Sequence, residues 1–414
     1  MDSINVTNQI SLRGHVFKNR FAKGAMSEAL ANEAGEVNDG LINLYRIWAE
    51  GGLGCAITGN VMIDWRAKNE PGVVVVEDEH DLPMLAKWAA TGKAEGMITI
   101  VQLSHPGKQC PTGLNEETVA PSAVPFHKDM QAIFPTPRAL TTDEIHNLIE
   151  RFAESARICE KAGFEGVQIH GAHGYLVSEF LSPHHNRRSD EWGGSIENRM
   201  RFLTESVKAI QAKTTDNFIL SVKLNSADFQ RGGFSESDSL IVIKELEKLG
   251  VDFVEISGGN YEAPAMTGAK QSTKEREAYF IDFAAKVREQ TSIPLMVTGG
   301  FRTREGMDNA LQSNACDFIG VGRPLAIEPD ACNKWLAGNA LDNEVKPIKT
   351  GIRAIDRGGV MEIIWYAKQF KRMARNQAPD PQLSPKKVFA KYMLANTINR
   401  LKGKAVFGRL RAKQ

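Results

Sequence analysis

One pattern recurs along the chain and restricts its fold more than any other feature. A helical run closes on glycine, two or three residues follow, and a short apolar run begins. It reads AEGGLGCAITGN over 49–60, EKAGFEGVQIHG over 160–171 and EKLGVDFVEISG over 247–258, and SNACDFIGVG over 313–322 repeats it with Asn314 at the cap. Glycine ends a helix because it enters the left-handed conformation without a Cβ penalty. The runs that follow are too short for helices and apolar on both faces, which is how buried parallel strands read. Eight such runs are found: Phe21–Ala25, Cys55–Gly59, Met97–Leu103, Val167–Gly171, Ile219–Leu224, Phe253–Ser257, Leu295–Thr298 and Phe318–Val321. Amphipathic helical stretches separate most of them. Thr141 with Glu144, and Ser235 with Asp238, have the spacing of capping boxes, the first opening a helix that runs to about Ala162. Eight strands alternating with helices predict an α/β fold, a (β/α)8 TIM barrel. An open doubly wound sheet is the runner-up, but no GxGxxG follows the first strand. The barrel is assigned to residues 1–345 and a basic, mostly helical extension to 346–414.

Composition narrows the function classes. The chain has 414 residues, 51 Lys+Arg against 50 Asp+Glu and 24% charged residues, an ordinary globular balance. No signal peptide and no spanning apolar segment are read, so the expectation is a cytoplasmic protein. Cys55, Cys110, Cys159, Cys316 and Cys332 stand apart with no CxxC pair, which argues against a structural zinc or a cysteine-ligated iron–sulfur cluster. The net charge of +1 conceals an uneven distribution, because residues 366–414 carry +12 and the rest −11. The stretch Pro106–Pro137 lacks periodicity and is expected as a lid or rim over the barrel mouth.

Chemistry in a barrel gathers where the strands end. Polar or glycine residues stand at seven of these ends: Gly24-Ala25-Met26-Ser27, Gly59-Asn60, Gln102 to His105, His170 to Tyr175, Lys223 with Asn225, Gly299-Gly300 and Gly322-Arg323. The glycines after strands seven and eight, with the forked Arg323, suit a phosphate, the bland alternative being a tight turn and a surface ion pair. Lys223 in an apolar strand needs an anion, either a ligand or a buried acid. His170 and His173, three residues apart, read as a donor pair for an oxygen, as core histidines, or as metal ligands completed by His184, His185 or Glu179. Tyr175 reads as a proton donor or a packing aromatic.

Assembled, these blocks resemble the old yellow enzyme family of FMN-dependent ene-reductases, the NADH:flavin oxidoreductase group. GFEGVQIHGAHGYLVSEFLSPHHNRRSDEWGGSIENRMRF over 163–202 carries the resemblance most specifically. WAEGGLGCAITGNVMID, VQLSHPGKQ, VKLNSADF, VEISGGNYE and VTGGFRT look like the family's other blocks in its order. The resemblance implies an FMN across the mouth, reduced by NADH or NADPH. Ala25, Met26 and Ser27 would lie along its ring system. Asn60 and Gln102 would meet the pyrimidine edge, and Lys223 the N1 side. Gly299, Gly300, Gly322 and Arg323 would hold the phosphate. His170 and His173 would hold the carbonyl oxygen of an enone-type substrate, and Tyr175 would donate the proton.

Four departures stand out: Lys23 where the family has an apolar residue, Asn60 where Ala or Gly is usual, Lys223 for Arg, and Ser27 for Cys or Thr. No iron–sulfur cluster is expected. Two other readings are kept: a flavin-dependent tRNA-dihydrouridine-synthase-like enzyme, which would need a catalytic cysteine in the lid with Cys110 the only candidate there, and a non-catalytic binding protein. The basic tail, with Tyr366, Phe370, Phe389, Tyr392 and Phe407 interleaved, either packs on the barrel or a second subunit of a homo-oligomer, or attracts an anionic partner.

Overall fold

Eight parallel strands close on themselves: β1 (Phe21–Lys23), β2 (Cys55–Met62), β3 (Ile98–Ser104), β4 (Gly166–Gly171), β5 (Ile219–Asn225), β6 (Phe253–Ser257), β7 (Leu295–Thr298) and β8 (Phe318–Val321). Closure is made by β8 pairing with β1, Ile319 opposite Phe21. The computed structural model describes residues 3–263, 278, 280–352, 356 and 360–394. Among these, no helix is long and apolar enough to cross a membrane.

Side chains alternate across each strand, so every second residue enters the barrel. At the lower end these are apolar: Ala22, Cys55, Ile57, Ile98, Ile100, Ile219, Phe253, Met296 and Phe318 form one cluster. The hairpin Ile10–Leu12/His15–Phe17 brings Phe17 into that cluster, its ring 5.1 Å from Phe318. Higher up the same rows become polar, reaching Gln102, Gln168, His170, Lys223, Glu255 and Thr298. The outward rows pack on the helices, where Trp48, Trp88, Phe152 and Phe202 are fully buried.

The two expected capping boxes are present, at Thr141–Glu144 and Ser235–Asp238. The first opens a helix over Thr142–Ala162 that ends on Gly163 at φ 96°. Asn314 takes φ 58°, as its cap position requires. The stretch 106–137 contains more structure than its composition suggests: Val119–Ala120 pairs with Arg138–Ala139, and a short 3-10 turn spans Lys128–Met130. It is tied to the helix after β4, Leu176–Leu181, by the Lys108 N–H donating to Glu179 Oε1 at 2.8 Å.

Lys23 does not face the mouth. It points outward between β1 and the helix Asp39–Glu50, fully buried, with Nζ 3.0 Å from Glu28 and 2.9 Å from the Ile57 carbonyl. Glu28 also accepts from Tyr45 Oη at 2.7 Å and from the Gly59 N–H. The charge at position 23 is therefore compensated inside the strand–helix layer, and it braces β2 near Asn60 rather than acting on a ligand.

Beyond the barrel, the helix Val360–Met373 lies against the first helix and buries Met361, Trp365, Tyr366, Phe370 and Met373. The Phe370 ring meets Trp48 edge-on at 5.5 Å. The chain then turns back, with Trp365 Nε1 donating to the Leu383 carbonyl and Gln369 bridging Asp380. Phe407 and the last basic residues lie outside the described residues.

Removing the Phe370 ring leaves a cavity against Trp48, and Phe370→Ala should lower unfolding free energy by about 3–5 kcal/mol in urea titrations. A loss under about 1 kcal/mol would mean that the helix contributes little to the barrel's stability. Glu179 yields a pH-dependent expectation. Burial lifts its carboxyl to about 8, against the lowering effect of Lys108. Its stability contribution is complete below the unfolded value of about 4.3 and is lost as pH rises through the folded one. Urea midpoints should show Glu179→Gln gaining on the parent protein between about pH 5 and about pH 8. A difference independent of pH would contradict the buried neutral acid.

Candidate active site

The mouth of the barrel is built from the upper inward residues of its strands. At its floor Lys223 Nζ lies 2.9 Å from Glu255 Oε1, both side chains almost wholly buried. Thr298 Oγ1 donates to the same oxygen at 2.8 Å, and Gln168 Nε2 to Glu255 Oε2 at 3.1 Å. Gln102 Nε2 in turn donates to Gln168 Oε1 at 2.7 Å. Lys223 thus has the buried acid that the sequence reading held open as an alternative.

Asn60 reaches the mouth through an irregularity. The pairing of β2 with β3 shifts register between Ile57 and Asn60, and this sets Asn60 opposite Gln102. Met26 packs beside Gly322, where an added Cβ would sit 3.4 Å from the sulfur. Ser27 donates to the carboxylate of Glu70, whose acidity burial weakens. Gly299 and Gly300 take φ of 113° and 92°, conformations that suit glycine. Arg323 stands beside them at the end of β8, and its guanidinium is 3.6 Å from Glu362 of the C-terminal helix.

The β4 end contributes three rings in succession. His170 and His173 have centroids 5.2 Å apart, and Tyr175 lies 4.7 Å from His170. His170 Nδ1 accepts from the Ala172 N–H, so its proton belongs on Nε2. His173 sits at φ 62°, unusual for a residue with a Cβ. It is held there by its N–H to Asn225 Oδ1, by Gln109 Nε2 on its carbonyl, and by Nε2 2.7 Å from Ser257 Oγ. Burial lowers the basicity of both imidazoles well below the ordinary range, with Lys223 adding to it, so both are neutral donors at pH 7.

The suggested third ligands do not join this pair. His184 and His185 gather with Glu262, their ligand atoms within 4.8 Å of one another. Lys108 stands in that group, 3.2 Å from His185 Nδ1 and 3.6 Å from Glu262, so an ammonium already supplies its positive charge. All five cysteines are buried singly, and burial pushes the Cys110 thiol up to about 12.

Several residues around the mouth were not singled out in the sequence: Gln168, Glu255 and Thr298 in the floor, and Asn69 and Tyr261 against Tyr175. Tyr175 Oη lies 3.4 Å from Asn60 Nδ2, 3.2 Å from Asn69 Nδ2 and 3.3 Å from Tyr261 Oη. The floor residues were detectable in principle, as polar residues at alternating inward positions of otherwise apolar strands. Asn69 and Tyr261 lie in irregular segments, where no periodicity marks them.

The donor set fits a flavin. Gln102 Oε1 is buried without a hydrogen-bond partner among the described residues, and a flavin pyrimidine N–H would satisfy it. The Gly299-Gly300 turn and Arg323 would offer donors to its phosphate.

Comparison with known proteins identifies the family. The NADH:flavin oxidoreductase / NADH oxidase family matches residues 8–342. The NADH-dependent flavin oxidoreductase iliE of Hypocrea jecorina is 38% identical over 360 residues, spanning 80% of this chain and 88% of that protein. A 2-naphthoyl-CoA reductase structure superposes with a TM-score of 0.74 at 27% identity, covering 81% of this chain and 52% of its own. The old yellow enzyme homologue from Zymomonas mobilis shares the fold, with a TM-score of 0.71 at 24% identity over 83% and 95% of the two chains. The chain belongs to the NADH:flavin oxidoreductase / NADH oxidase family, and is an FMN-dependent oxidoreductase built on the old yellow enzyme barrel.

Proposed function

We propose that this oxidoreductase reduces the carbon–carbon double bond of an α,β-unsaturated carbonyl compound at the expense of NADH or NADPH. The observation that carries the reading is the convergence of His170, His173 and Tyr175 on one wall of the mouth. FMN, once bound and reduced, supplies the hydride. The protein's part is to orient the alkene and manage its charge. His170 donates from Nε2 to the substrate carbonyl oxygen. His173, with Ser257 donating to its Nε2, carries its own proton on Nδ1 and supplies the second donor. Because both rings are neutral, they bind the carbonyl weakly and gain strength only as negative charge grows on the oxygen, which favours the transition state. Tyr175 transfers its phenolic proton to the α-carbon.

Ala25, Met26 and Ser27 would flank the flavin, Asn60 and Gln102 would meet its pyrimidine edge, and Lys223 would face its N1 side from the Glu255 pair. Gly299, Gly300, Gly322 and Arg323 would bind its phosphate. The same reading takes residues 1–345 as the catalytic barrel and 346–414 as an extension. The dihydrouridine alternative needs a reactive lid cysteine, and Cys110 is buried with a weakened acidity. No observation favours a non-catalytic role.

Arg323→Ala should weaken FMN affinity by at least about tenfold, the equivalent of 1.4 kcal/mol for a lost charge-assisted contact, measured by fluorescence as released flavin rebinds. Unchanged affinity would remove Arg323 from the phosphate site. His170→Ala and His173→Ala should each weaken binding of a phenol, whose oxygen mimics the enone carbonyl. Each should slow flavin reoxidation by an enone about 100-fold or more, with flavin reduction affected far less. Phenol spectra and affinities unchanged in both variants would refute the carbonyl-holding role.

A further inference from the structure

Tyr175 is surrounded by more hydrogen-bond donors than a neutral phenol requires. Its oxygen accepts from the amide groups of Asn60 at 3.4 Å and Asn69 at 3.2 Å, and it shares a hydrogen bond with Tyr261 at 3.3 Å. These partners come from three places in the fold: the shifted end of β2, the segment that follows it, and the segment after β6. We propose that Asn60, Asn69 and Tyr261 are positioning residues for the proton donor, forming a cup that holds the Tyr175 oxygen in place and stabilises it as a phenolate after the proton has left. The proposal rests on the reading of Tyr175 as that donor.

Both lone pairs of the phenol oxygen are taken by the two amides, so its own O–H has two places to go, Tyr261 or the substrate. When the substrate takes the proton, the Tyr175 O–H bond breaks and a C–H bond forms at the α-carbon, using the electron pair released onto that carbon as hydride adds to the β-carbon. The phenolate left behind then has three donors, because the Tyr261 hydroxyl turns to give its own proton. Hydrogen bonds to a charged oxygen are shorter and about twice as strong as neutral ones, so contacts of 3.2–3.4 Å have room to tighten as charge appears. One proton from the bulk solvent, relayed through the Tyr261 hydroxyl, restores the Tyr175 phenol for each alkene reduced.

Two further observations support the cup. Asn69 Oδ1 is buried with no partner among the described residues, so the amide forgoes one hydrogen bond while its nitrogen is directed at Tyr175. Buried unsatisfied groups of this kind mark sites where position matters more than stability. Tyr261 is in turn backed by residues of the 106–137 stretch. Its ring is nearly parallel to Phe134 at 6.4 Å, and Phe134 packs on Phe126 at 4.9 Å. The titratable groups facing the cup are His170, against the Tyr175 ring, and Glu70, which bears on both tyrosines. Burial weakens the acidity of Glu70, which limits the negative charge it would set against a phenolate.

The test uses the FMN-loaded enzyme with Asn69→Ala and Tyr261→Phe, each alone and combined with Tyr175→Phe. Tyr261→Phe keeps the stacked ring and removes only the hydroxyl. In anaerobic stopped-flow, each single variant should slow reoxidation of the reduced flavin by an enone about tenfold, within the range of a general acid contribution, with the loss confined to that half-reaction. In the Tyr175→Phe background the same substitutions should have no further effect, because the oxygen they serve is gone. Alkaline titration of the tyrosinate band, taken as the difference from Tyr175→Phe, should move to higher pH in Asn69→Ala. Equal slowing in both backgrounds, or an unmoved titration, would overturn the cup and leave Tyr175 as donor. A Tyr175→Phe enzyme that reduces enones as fast as the parent would overturn the donor reading itself, and the cup with it.

Discussion

The carboxylate of Glu255 sits fully buried inside the barrel and receives Lys223, Thr298 and Gln168 together. An ionised carboxylate at that depth is tolerable only if its lone pairs are filled and its charge is matched. Four strands therefore converge on one group, β4 through Gln168, β5 through Lys223, β6 through Glu255 itself and β7 through Thr298, and Gln102 extends the chain to β3. This network forms the floor of the mouth. It leaves Gln102 Oε1 without a partner among the described residues, where a flavin edge would meet it, and it places the Lys223 charge where it lowers the basicity of His170 and His173. Breaking one partner of such a pair costs about 3–5 kcal/mol, so the floor is maintained as a unit.

From that floor upward, the strand period accounts for most of the site. Inward residues are apolar where the hairpin closes the lower end and polar where the strands end. The same alternation sends Lys23 outward, where Glu28 neutralises it beneath Asn60 and Tyr45 donates to the same carboxylate. The histidines depend on less regular geometry. His173 keeps its left-handed backbone because Asn225, Gln109 and Ser257 hold it from three sides. That strain is stored at the residue whose ring must point into the mouth.

The barrel was legible because eight short apolar runs occur and four of them follow a helix-ending glycine or asparagine, and neither signal depends on tertiary context. The strand-end residues followed from the fold. What the pattern could not show was partnership. Lys23 and Lys223 each advertise a buried charge, but the acids that answer them, Glu28 and Glu255, lie five and thirty-two residues away and are recognisable only once the strands are side by side. Asn69 and Tyr261 come from irregular segments, and their meeting at Tyr175 is set by loop paths that no periodicity encodes. The sequence marked residues 346–414 as a basic, mostly helical extension, and within it the helix Val360–Met373 buries Trp365 and Phe370. For the residues past 394 the choice between packing and an anionic partner falls outside the described structure.

The proposed reaction carries a hydride from the nicotinamide to the β-carbon of the alkene and brings a proton to the α-carbon from the Tyr175 side. The direct measurement is turnover of an enone with NADH or NADPH deuterated on the face that the enzyme uses, in ordinary water, followed by mass and nuclear magnetic resonance analysis of the saturated product. Deuterium at the β-carbon alone, with the α-hydrogen drawn from solvent, is the predicted result. Deuterium at the α-carbon, or flavin that is reduced by the nicotinamide yet never reoxidised by any activated alkene, would contradict it.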